Sequence, residues 1–442
     1  MKFRKFGRIS LALAVSLGTG LGVNSCSTNH TVGYMYVTGT QYSQISGFRI
    51  DNNVGNLTPT PNSPYGSGGF TPIKNLVTNA GRFLYVLNAG CGGTGQVACP
   101  ANAKATDTGA NISLFTIGGK GSLSFQASYT SQGNNPVSMQ TDSAGTHLFV
   151  LDSTVPDPTT CTGYVAGNAA TICGDITSFS IDPNTGRLSL VTNQQVKNAS
   201  GTNIPFFPVG SAPINFFVNP NNAYIYTIEK GSGSAADPVQ AVFVYGQTNG
   251  QLTLTQNTPI PTGAEDLSYI YASQRYVYLI DAQNGATAGL ILPYTVGTNG
   301  ALQSLVGGQT PNTGTTANPQ VMIVDHQNRF LYLANRGPNL SITSPASSVS
   351  VFSIDQTTGR LTPPGGANAG NTVTAGSGSS PRCILEDPSN QYLYTANFDN
   401  STVTGAVINS QTGTLNSLRQ APSAGFSTTG QPTWCVASGT TF

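Results

Sequence analysis

One short phrase recurs along the whole chain and constrains its fold more than any other sequence feature. Each copy is an aromatic and aliphatic run that ends in a polar residue or glycine, and a second strand with a glycine-containing turn follows it, as in ITSFSIDPNTGRLS. Units of about 50 to 75 residues with four strands each are typical of propeller blades and not of helical solenoids. The seven copies are YMYVTG from Tyr34, FLYVLN from Phe83, HLFVLD from His147, YIYTIE from Tyr224, YVYLID from Tyr276, FLYLAN from Phe330 and YLYTAN from Tyr392.

A further strand opens six of these seven units, and it starts at or near a proline, as at Pro72, Pro213 and Pro381. The first unit lacks this strand, but residues 432–437 at the other end of the chain have the same pattern. Pairing of the two ends would remove two free sheet edges. The sequence therefore predicts an all-β, seven-bladed β-propeller, a single domain of residues 33–442 closed by its N- and C-terminal strands.

The charge content argues against several partners. Only 8% of the residues are charged and the formal net charge is +1, so no basic face is available for a phosphate backbone. We expect no nucleic-acid partner. The three histidines and the cysteines show no metal-ligand spacing, so we expect neither a metal nor a cofactor.

The N-terminus has the pattern of a secretory signal. Four basic residues precede an apolar run, residues 9–23, that is too short to span a membrane. The run ends in VNSC, which resembles the bacterial lipobox with Cys26 as the acylated residue. We predict a signal at residues 1–26 and a tether at residues 27–32, with ordinary cleavage near Cys26 as the alternative. The protein is then expected in the bacterial cell envelope, in contact with the membrane only through its lipid anchor.

Six cysteines remain in the exported protein, where disulfides persist. Two pairs close short loops. The third pair lies on inner strands of two blades that become neighbours only when the ring closes. Its members differ by one position relative to the preceding proline, so strand alternation alone would point them to opposite faces. A bulge beside Trp434 could reconcile the register, and two separate buried thiols are the rival interpretation. The three pairs are Cys91 with Cys99, Cys161 with Cys173, and Cys383 with Cys435.

The mouth of the central channel is the predicted place for a site. In a propeller, the inner strand begins at the face where the loop after the second strand lies. The polar residues that end six of the phrases belong to this face, and they either bond the backbone of the loop or bind a ligand. These residues are Asn88, Asp152, Glu229, Asp281, Asn335 and Asn397.

The two residues after each inner-strand proline are predicted to line the mouth. In the fifth blade Glu265 is taken as the replacement for the proline. Lys74, Arg382, Glu265, Asp266 and Glu229 would then converge on one mouth, either solvated by trapped water or forming a pocket for a sugar-like or carboxylated ligand. The predicted pairs are Ile73 and Lys74, Val137 and Ser138, Ile214 and Asn215, Asp266 and Leu267, Gln320 and Val321, Arg382 and Cys383, and Thr433 and Trp434.

The repeated phrase, the DPNTGRL-type turn and the proline-led strand resemble the seven-bladed propeller lactonase family, whose enzymes are similar to bacterial 6-phosphogluconolactonase. The resemblance covers residues 33–442 and implies lactone hydrolysis, which needs a base and a cation or donors for the oxyanion. It also implies a Pro-Arg-His phrase on an inner strand. This chain has Pro381-Arg382-Cys383 instead.

Two hypotheses follow. In the first, the protein is a sugar lactonase in which Arg382 and Lys74 bind the carboxylate or oxyanion and an acidic residue of the mouth, Glu265, Asp266 or Glu229, is the base. Substrate contacts would come from Asn215, Gln320, Asn335, Asn397 and Trp434. In the second, a lipid-anchored propeller without activity binds a glycan or protein through the loops 89–109 and 153–173, which the two local disulfides would close. In either case we expect a monomer.

Overall fold

Short runs of β-branched and aromatic residues, separated by glycine and asparagine turns, form antiparallel strands along the chain. The structure is a computed structural model that describes residues 30–78, 81–101, 109–163, 173–198, 200–233, 238–256, 258–283, 289–305, 310–311, 318–337, 347–363, 373–374 and 380–439. Within these residues the strands form seven antiparallel sheets of four or five strands. The predicted all-β, seven-bladed propeller is confirmed. The predicted signal, Cys26 and residues 27–29 of the tether lie outside the described residues.

Each sheet is one blade. Blade 1 contains β1 (Thr31–Gly39), β2 (Gln44–Asp51), β3 (Leu57–Pro59) and β4 (Tyr65–Gly66). Blade 2 contains β5 (Pro72–Val77), β6 (Phe83–Asn88), β7 (Asn111–Ile117) and β8 (Leu123–Tyr129). Blade 3 contains β9 (Asn134–Thr141), β10 (His147–Thr154), β11 (Asp175–Ile181), β12 (Leu188–Leu190) and β13 (Phe207–Pro208). Blade 4 contains β14 (Pro213–Val218), β15 (Tyr224–Glu229), β16 (Ala241–Thr248), β17 (Gln251–Leu254) and β18 (Ile260–Pro261).

The remaining blades repeat this order. Blade 5 contains β19 (Leu267–Ala272), β20 (Tyr276–Asp281), β21 (Leu290–Val296), β22 (Leu302–Ser304) and β23 (Thr310–Pro311). Blade 6 contains β24 (Pro319–Val324), β25 (Phe330–Asn335), β26 (Ser348–Ile354), β27 (Leu361–Thr362) and β28 (Val373–Thr374). Blade 7 contains β29 (Pro381–Glu386), β30 (Tyr392–Asn397), β31 (Thr402–Ile408), β32 (Leu415–Ser417) and β33 (Phe426–Ser427), and β34 (Pro432–Gly439) returns to blade 1.

Helical structure in the described ranges is confined to short 3-10 turns such as Pro158–Gly163 and Thr298–Gly300. No helix in this part of the chain is both long and apolar enough to cross a membrane. Residues Val32–Phe442 form one compact unit.

The inner strands form the wall of the channel. Around the ring, β34, β5, β9, β14, β19, β24 and β29 each contact the next, and β29 contacts β34 in turn. The ring is closed within blade 1, where β34 pairs antiparallel with β1 from Gly33 opposite Gly439 to Gly39 opposite Pro432. The predicted closure by the terminal strands is therefore confirmed. Closure pairs β34 with β1, so neither terminal strand presents to other chains the edge that it would have alone.

The packing between blades explains why the phrase and the glycine turn recur together. In five blades the tyrosine at the third position of the phrase donates a hydrogen bond to the carbonyl of a turn glycine in the next blade. The same turn glycine also lies against the ring of the first residue of that phrase, as Gly186 does against Phe83. The aromatic phrase and the glycine turn therefore recur together because each phrase contacts the turn of the next blade.

All three predicted disulfides are present. Cys91 bonds to Cys99 and Cys161 bonds to Cys173, with Cα atoms 5.0 Å and 5.8 Å apart. Cys383 on β29 bonds to Cys435 on β34, with Cα atoms 5.8 Å apart. The third bridge joins blade 7 to the strand that closes the ring.

Candidate functional site

A cavity of about 200 Å³ lies among the starts of the inner strands. All of its lining residues except Tyr269 are among those predicted to line the channel mouth. Their roles in binding or catalysis stay predictions. The lining consists of Ile73, Lys74, Val137, Ser138, Ile214, Asn215, Tyr269, Gln320, Val321, Arg382, Thr433 and Trp434.

A β-bulge directly after the proline of each inner strand, or after Leu267 in blade 5, explains this lining. In blade 2, Pro72 pairs with Asn88 and Lys74 pairs with Leu87, so Ile73 is the extra residue. The same skip occurs in the other six blades. A bulge re-aims the side chains beside it, and proline, which lacks an N–H, fits where the ladder is interrupted. Two consecutive residues can therefore face the cavity, where a regular strand would offer one.

The fifth blade shows that one predicted register was wrong. Leu267 pairs with the last residue of the phrase, Asp281, as the prolines do in the other blades, and Tyr269 follows the bulge. Leu267, and not Glu265, therefore stands in the place of the proline. In the other inner strands the polar turn residue comes six positions after the proline, as Asn219 does after Pro213. Counting back six residues from Ser273 reaches Leu267, which identifies it as the counterpart of the prolines. The second residue after it is Tyr269, so this spacing is the sequence signal that predicts Tyr269 in the lining.

Glu265 and Asp266 consequently lie before the strand and are absent from the lining. Their backbone N–H groups donate to the Asp281 carboxylate at 3.1 Å and 2.9 Å. The Asp266 carboxylate lies 3.9 Å from the Lys230 ammonium, and Glu265 is exposed. This arrangement places neither carboxylate where the sequence analysis expected a base.

Three of the polar residues at the ends of the phrases bond to nearby backbone and hydroxyl groups. Glu229 is fully buried and accepts hydrogen bonds from the Gly210 N–H at 3.2 Å and the Thr227 hydroxyl at 2.7 Å. Asn335 donates to Ser350 Oγ at 2.9 Å. Asn397 likewise donates to the hydroxyls of Thr402 and Thr404. None of the three lines the cavity, so their contacts favour the structural explanation over the predicted catalytic and substrate contacts.

Lys74 is the most deeply buried charged residue of the lining. Its side chain is 7% exposed, and Nζ donates to Ser138 Oγ at 2.7 Å. The Ser138 hydroxyl in turn lies 3.1 Å from Asn215 Oδ1, so a polar chain crosses blades 2, 3 and 4. Nζ also lies 4.4 Å from the centre of the Trp434 ring. Burial lowers the pKa of Lys74 to about 7, because the ammonium loses its water without gaining a carboxylate.

Arg382 lies on blade 7 and is half-buried. Its Nη1 donates to Gln320 Oε1 at 3.4 Å, and its guanidinium carbon lies 5.2 Å from the centre of the Phe398 ring. Within the described residues, Nε is buried and has no hydrogen-bond partner. Burial, and then the nearby Arg336, lower the pKa of Arg382, and Asp399 opposes them. The guanidinium keeps its charge at neutral pH, because its ordinary pKa is far above 7.

Two aromatic rings meet across the ring axis. Trp434 of blade 1 stacks against Tyr269 of blade 5, with centroids 6.4 Å apart and planes 27° apart. Beside them Thr433 donates to the Pro72 carbonyl at 2.8 Å, which ties the closing strand to blade 2. The cavity thus combines an aromatic surface, hydroxyl and amide groups, and two basic residues, and no carboxylate is among its described lining residues.

Cys383 shows why the second position after the proline is not always in the cavity. It is buried in the interface with blade 1, where it is bonded to Cys435. The family resemblance implies a histidine at this position. Cys383 stands there instead, and its sulfur, bonded in a disulfide, provides neither a base nor a nucleophile.

Comparison with known proteins agrees with the fold and the repeat. A family model described as lactonase, 7-bladed beta-propeller, matches residues 272–436. No curated protein matches the chain in sequence. The ring is similar to a periplasmic gluconolactonase from Pseudomonas aeruginosa, with 16% identity, a TM-score of 0.63 and coverage of 92% of this chain and 99% of that one.

Two further solved structures have the same fold. Putative 6-phosphogluconolactonases from Bacteroides fragilis and Bacteroides uniformis share 16% and 14% identity with the chain, with TM-scores of 0.60 and 0.64. They cover 93% and 92% of this chain, and the chain covers 99% of each. By fold around the whole ring and by sequence over residues 272–436, this chain resembles the seven-bladed β-propeller lactonase family.

Proposed function

We propose that the protein is a sugar-lactone hydrolase whose active site is the cavity at the ring axis. The observation that carries this proposal is the composition of the lining, in which Lys74 and Arg382 accompany an aromatic surface and no described lining residue is acidic. Such a pocket accepts a polar ring with apolar C–H faces and favours the negative charge that develops on a lactone carbonyl during hydrolysis. The family resemblance supports the same chemistry.

Arg382 has the properties needed to stabilise that charge. Its guanidinium lines the cavity and is held in place by Gln320 and the Phe398 ring. A preorganised donor of this kind stabilises an oxyanion without rearrangement. Asn215, Gln320 and Ser138 supply hydroxyl and amide groups for the sugar hydroxyls, and Trp434 supplies a stacking face.

The test uses purified mature protein with a panel of phosphorylated and unphosphorylated sugar lactones, corrected for spontaneous hydrolysis. Arg382→Gln should lower the catalysed rate by about 10²- to 10³-fold, as the loss of an oxyanion donor does. Arg360→Gln, which removes an exposed turn arginine, is the matched control and should leave the rate unchanged. Hydrolysis at the buffer rate across the panel would exclude the proposed activity.

A second candidate is a propeller that binds a glycan or protein without hydrolysing it. The disulfide at Cys383 favours this alternative, because the base that the family resemblance implies is missing at that position. Trp434 is the only tryptophan of the chain and lines the cavity, so its fluorescence reports binding there directly. A saturable fluorescence change with a sugar acid, without lactone hydrolysis, would support the second candidate. A partner that binds the disulfide-closed loops 89–109 and 153–173 should instead bind the protein without changing the Trp434 fluorescence.

We also propose that the protein is exported and anchored in the cell envelope through Cys26. The three disulfides support export, because such bonds persist in oxidising compartments. Cys26→Ser should move the protein from the membrane fraction to the soluble fraction while the thermal unfolding of the ring stays the same. Mass spectrometry of the mature N-terminus checks this, and an unacylated terminus in the unaltered protein would contradict it.

A further inference from the structure

Lys74 occupies a place in the cavity that does not suit a permanent ammonium. Its side chain is 7% exposed, and its ammonium donates a hydrogen bond to a neutral hydroxyl, Ser138 Oγ. The strands that surround it, β6, β9 and β34, contain no acidic or basic residue. The other cavity groups that can carry charge are Arg382, which disfavours a second cation, and Tyr269, which is neutral at physiological pH.

From this geometry we infer that Lys74 acts as a neutral amine and is the general base that activates water for lactone hydrolysis. The inference rests on the proposed function and names a residue whose role the sequence analysis gave to a carboxylate. Glu265, Asp266 and Glu229 are absent from the cavity lining, and Cys383 is in a disulfide. Lys74 is therefore the lining residue that can accept a proton at neutral pH. Burial lowers its pKa to about 7, and a general base is most effective when its pKa lies near the working pH.

The reaction balances with this assignment. The amine of Lys74 accepts a proton from water as the water oxygen forms a bond to the lactone carbonyl carbon. The carbonyl π electrons move to the oxygen, where the Arg382 guanidinium stabilises the charge. The intermediate collapses, the ring C–O bond breaks, and the leaving ring oxygen takes the proton back from the Lys74 ammonium. The products are the hydroxy acid and the neutral amine, and no other reactant is consumed.

Ser138 and Trp434 hold the amine in place. The Ser138 hydroxyl accepts one N–H of Lys74, while the Trp434 ring covers the amine from the side of the closing strand. The ring face also stabilises the ammonium that forms during the reaction, because its π electrons attract a cation. Neither contact uses the amine lone pair, which stays available for the proton of water.

Two variants separate a base from a simple binding cation. Lys74→Gln keeps a hydrogen-bond donor near Ser138 but has no basic nitrogen, and Lys74→Arg carries a permanent positive charge and cannot accept a proton at neutral pH. We expect kcat to fall by about 10²- to 10⁴-fold in both. The affinity of Lys74→Arg for the sugar-acid product, measured by Trp434 fluorescence, should not fall, because the variant places a permanent cation beside the carboxylate. If Lys74→Arg keeps the wild-type kcat, the base assignment is wrong.

The pH dependence gives a second readout. In the wild type, kcat/KM should rise with an apparent pKa near 7 as the amine loses its proton, and this inflection should disappear in both variants. Direct titration of the lysine side-chain 13C signals by NMR gives the same value without any activity. The Lys74 signal is assigned by its absence from the Lys74→Arg spectrum, and titration near the ordinary value of about 10 would overturn the inference.

These outcomes distinguish the inference from the proposed function. A wild type that hydrolyses no sugar lactone overturns both. A hydrolase in which Lys74 titrates near 10, or which tolerates Lys74→Gln, overturns only the role of Lys74. If one variant fails to fold by circular dichroism, the spectrum of the other assigns the Lys74 signal for the NMR titration, and the pH profile of the wild type needs neither variant.

Discussion

At the scale of single residues, the buried carboxyl pair of blade 3 departs most from what a stable sheet requires. Asp152 and Asp175 lie opposite each other on β10 and β11 and are both fully buried. The Ser131 hydroxyl donates to Asp152 at 3.0 Å, but one oxygen of each carboxyl has no partner among the described residues. Blade 2 has Asn88 and Asn111 at the same places, where no charge has to be buried.

Titration of this pair should make the protein less stable at high pH. Burial raises the pKa of Asp152 to about 7, and burial together with the Asp152 charge raises the pKa of Asp175 well above its ordinary range. The folded state therefore holds protons that the unfolded state has released. The resulting stabilisation is complete below about pH 4 and is lost as the pH rises through 7.

Asp175→Asn should remove this loss. We expect the free energy of unfolding to change little at pH 4 and to increase by roughly 1–3 kcal/mol at pH 8, as measured by denaturant unfolding. Asp182→Asn is the control, because Asp182 is an exposed turn carboxylate whose pKa is lowered by backbone hydrogen bonds. A gain of the same size at both pH values would show that charge on the pair is not the cause.

At the scale of the element, the hairpin turn after each phrase is the part that joins neighbouring blades. In all seven blades the turn glycine has a positive φ. A Cβ atom there would lie within 3 Å of the ring of the first residue of the phrase in the preceding blade. Gly186, for example, has φ +70° and an added Cβ would lie 2.7 Å from the Phe83 ring. Glycine is needed at this turn both for its backbone conformation and for the approach of the next blade.

Two glycine substitutions separate these reasons. Gly186→Ala should lower the free energy of unfolding by about 2–4 kcal/mol, because it combines left-handed strain with a clash. Gly201→Ala also places alanine at a positive φ, +78°, but nothing lies within 4 Å of the added Cβ, so its cost should be about 1–2 kcal/mol. Equal costs in denaturant unfolding would mean that contact between the blades contributes nothing at this turn.

At the scale of the whole molecule, the ring depends on one seam between the ends of the chain. β34 pairs with β1 inside blade 1, and Cys435 on β34 is bonded to Cys383 of blade 7. The sulfur bridge and the strand ladder therefore hold the closing strand from both sides. Opening this seam would expose two sheet edges and the aromatic residues of the channel.

The bridge at the seam should stabilise the protein more than a local one does. It spans 52 residues, whereas Cys91 and Cys99 are 8 residues apart. Loop-closure entropy predicts that the double variant Cys383→Ala/Cys435→Ala loses about 4 kcal/mol, against about 2.5 kcal/mol for Cys91→Ala/Cys99→Ala. Denaturant unfolding of both variants checks the order, and a larger loss from the local pair would contradict the seam as the more constrained point.

Most of the fold and of the cavity lining could be predicted from the sequence, because both depend on local repeats. Seven equal strand phrases define seven blades, and a proline at the start of the inner strand marks the residues that reach the axis. The prediction of the lining was wrong in the one blade whose inner strand has no proline at its start. The inner strand of blade 5 begins with Leu267 and not with a proline. The charged residues Glu265 and Asp266 were therefore placed two positions too far along the strand, which hid Tyr269.

Tertiary structure alone decided the direction of several side chains. Strand alternation pointed Cys383 and Cys435 to opposite faces, which is a correct conclusion for two strands of one sheet. These strands belong to neighbouring sheets that face each other, so opposite faces are the ones that meet, and the bridge forms. Glu229 bonds to Thr227 of its own strand, and Asn335 and Asn397 bond to hydroxyls of the neighbouring strand, so none of the three lines the cavity. A repeat specifies which residues are equivalent, but the stacking of one blade on the next determines what each of them contacts.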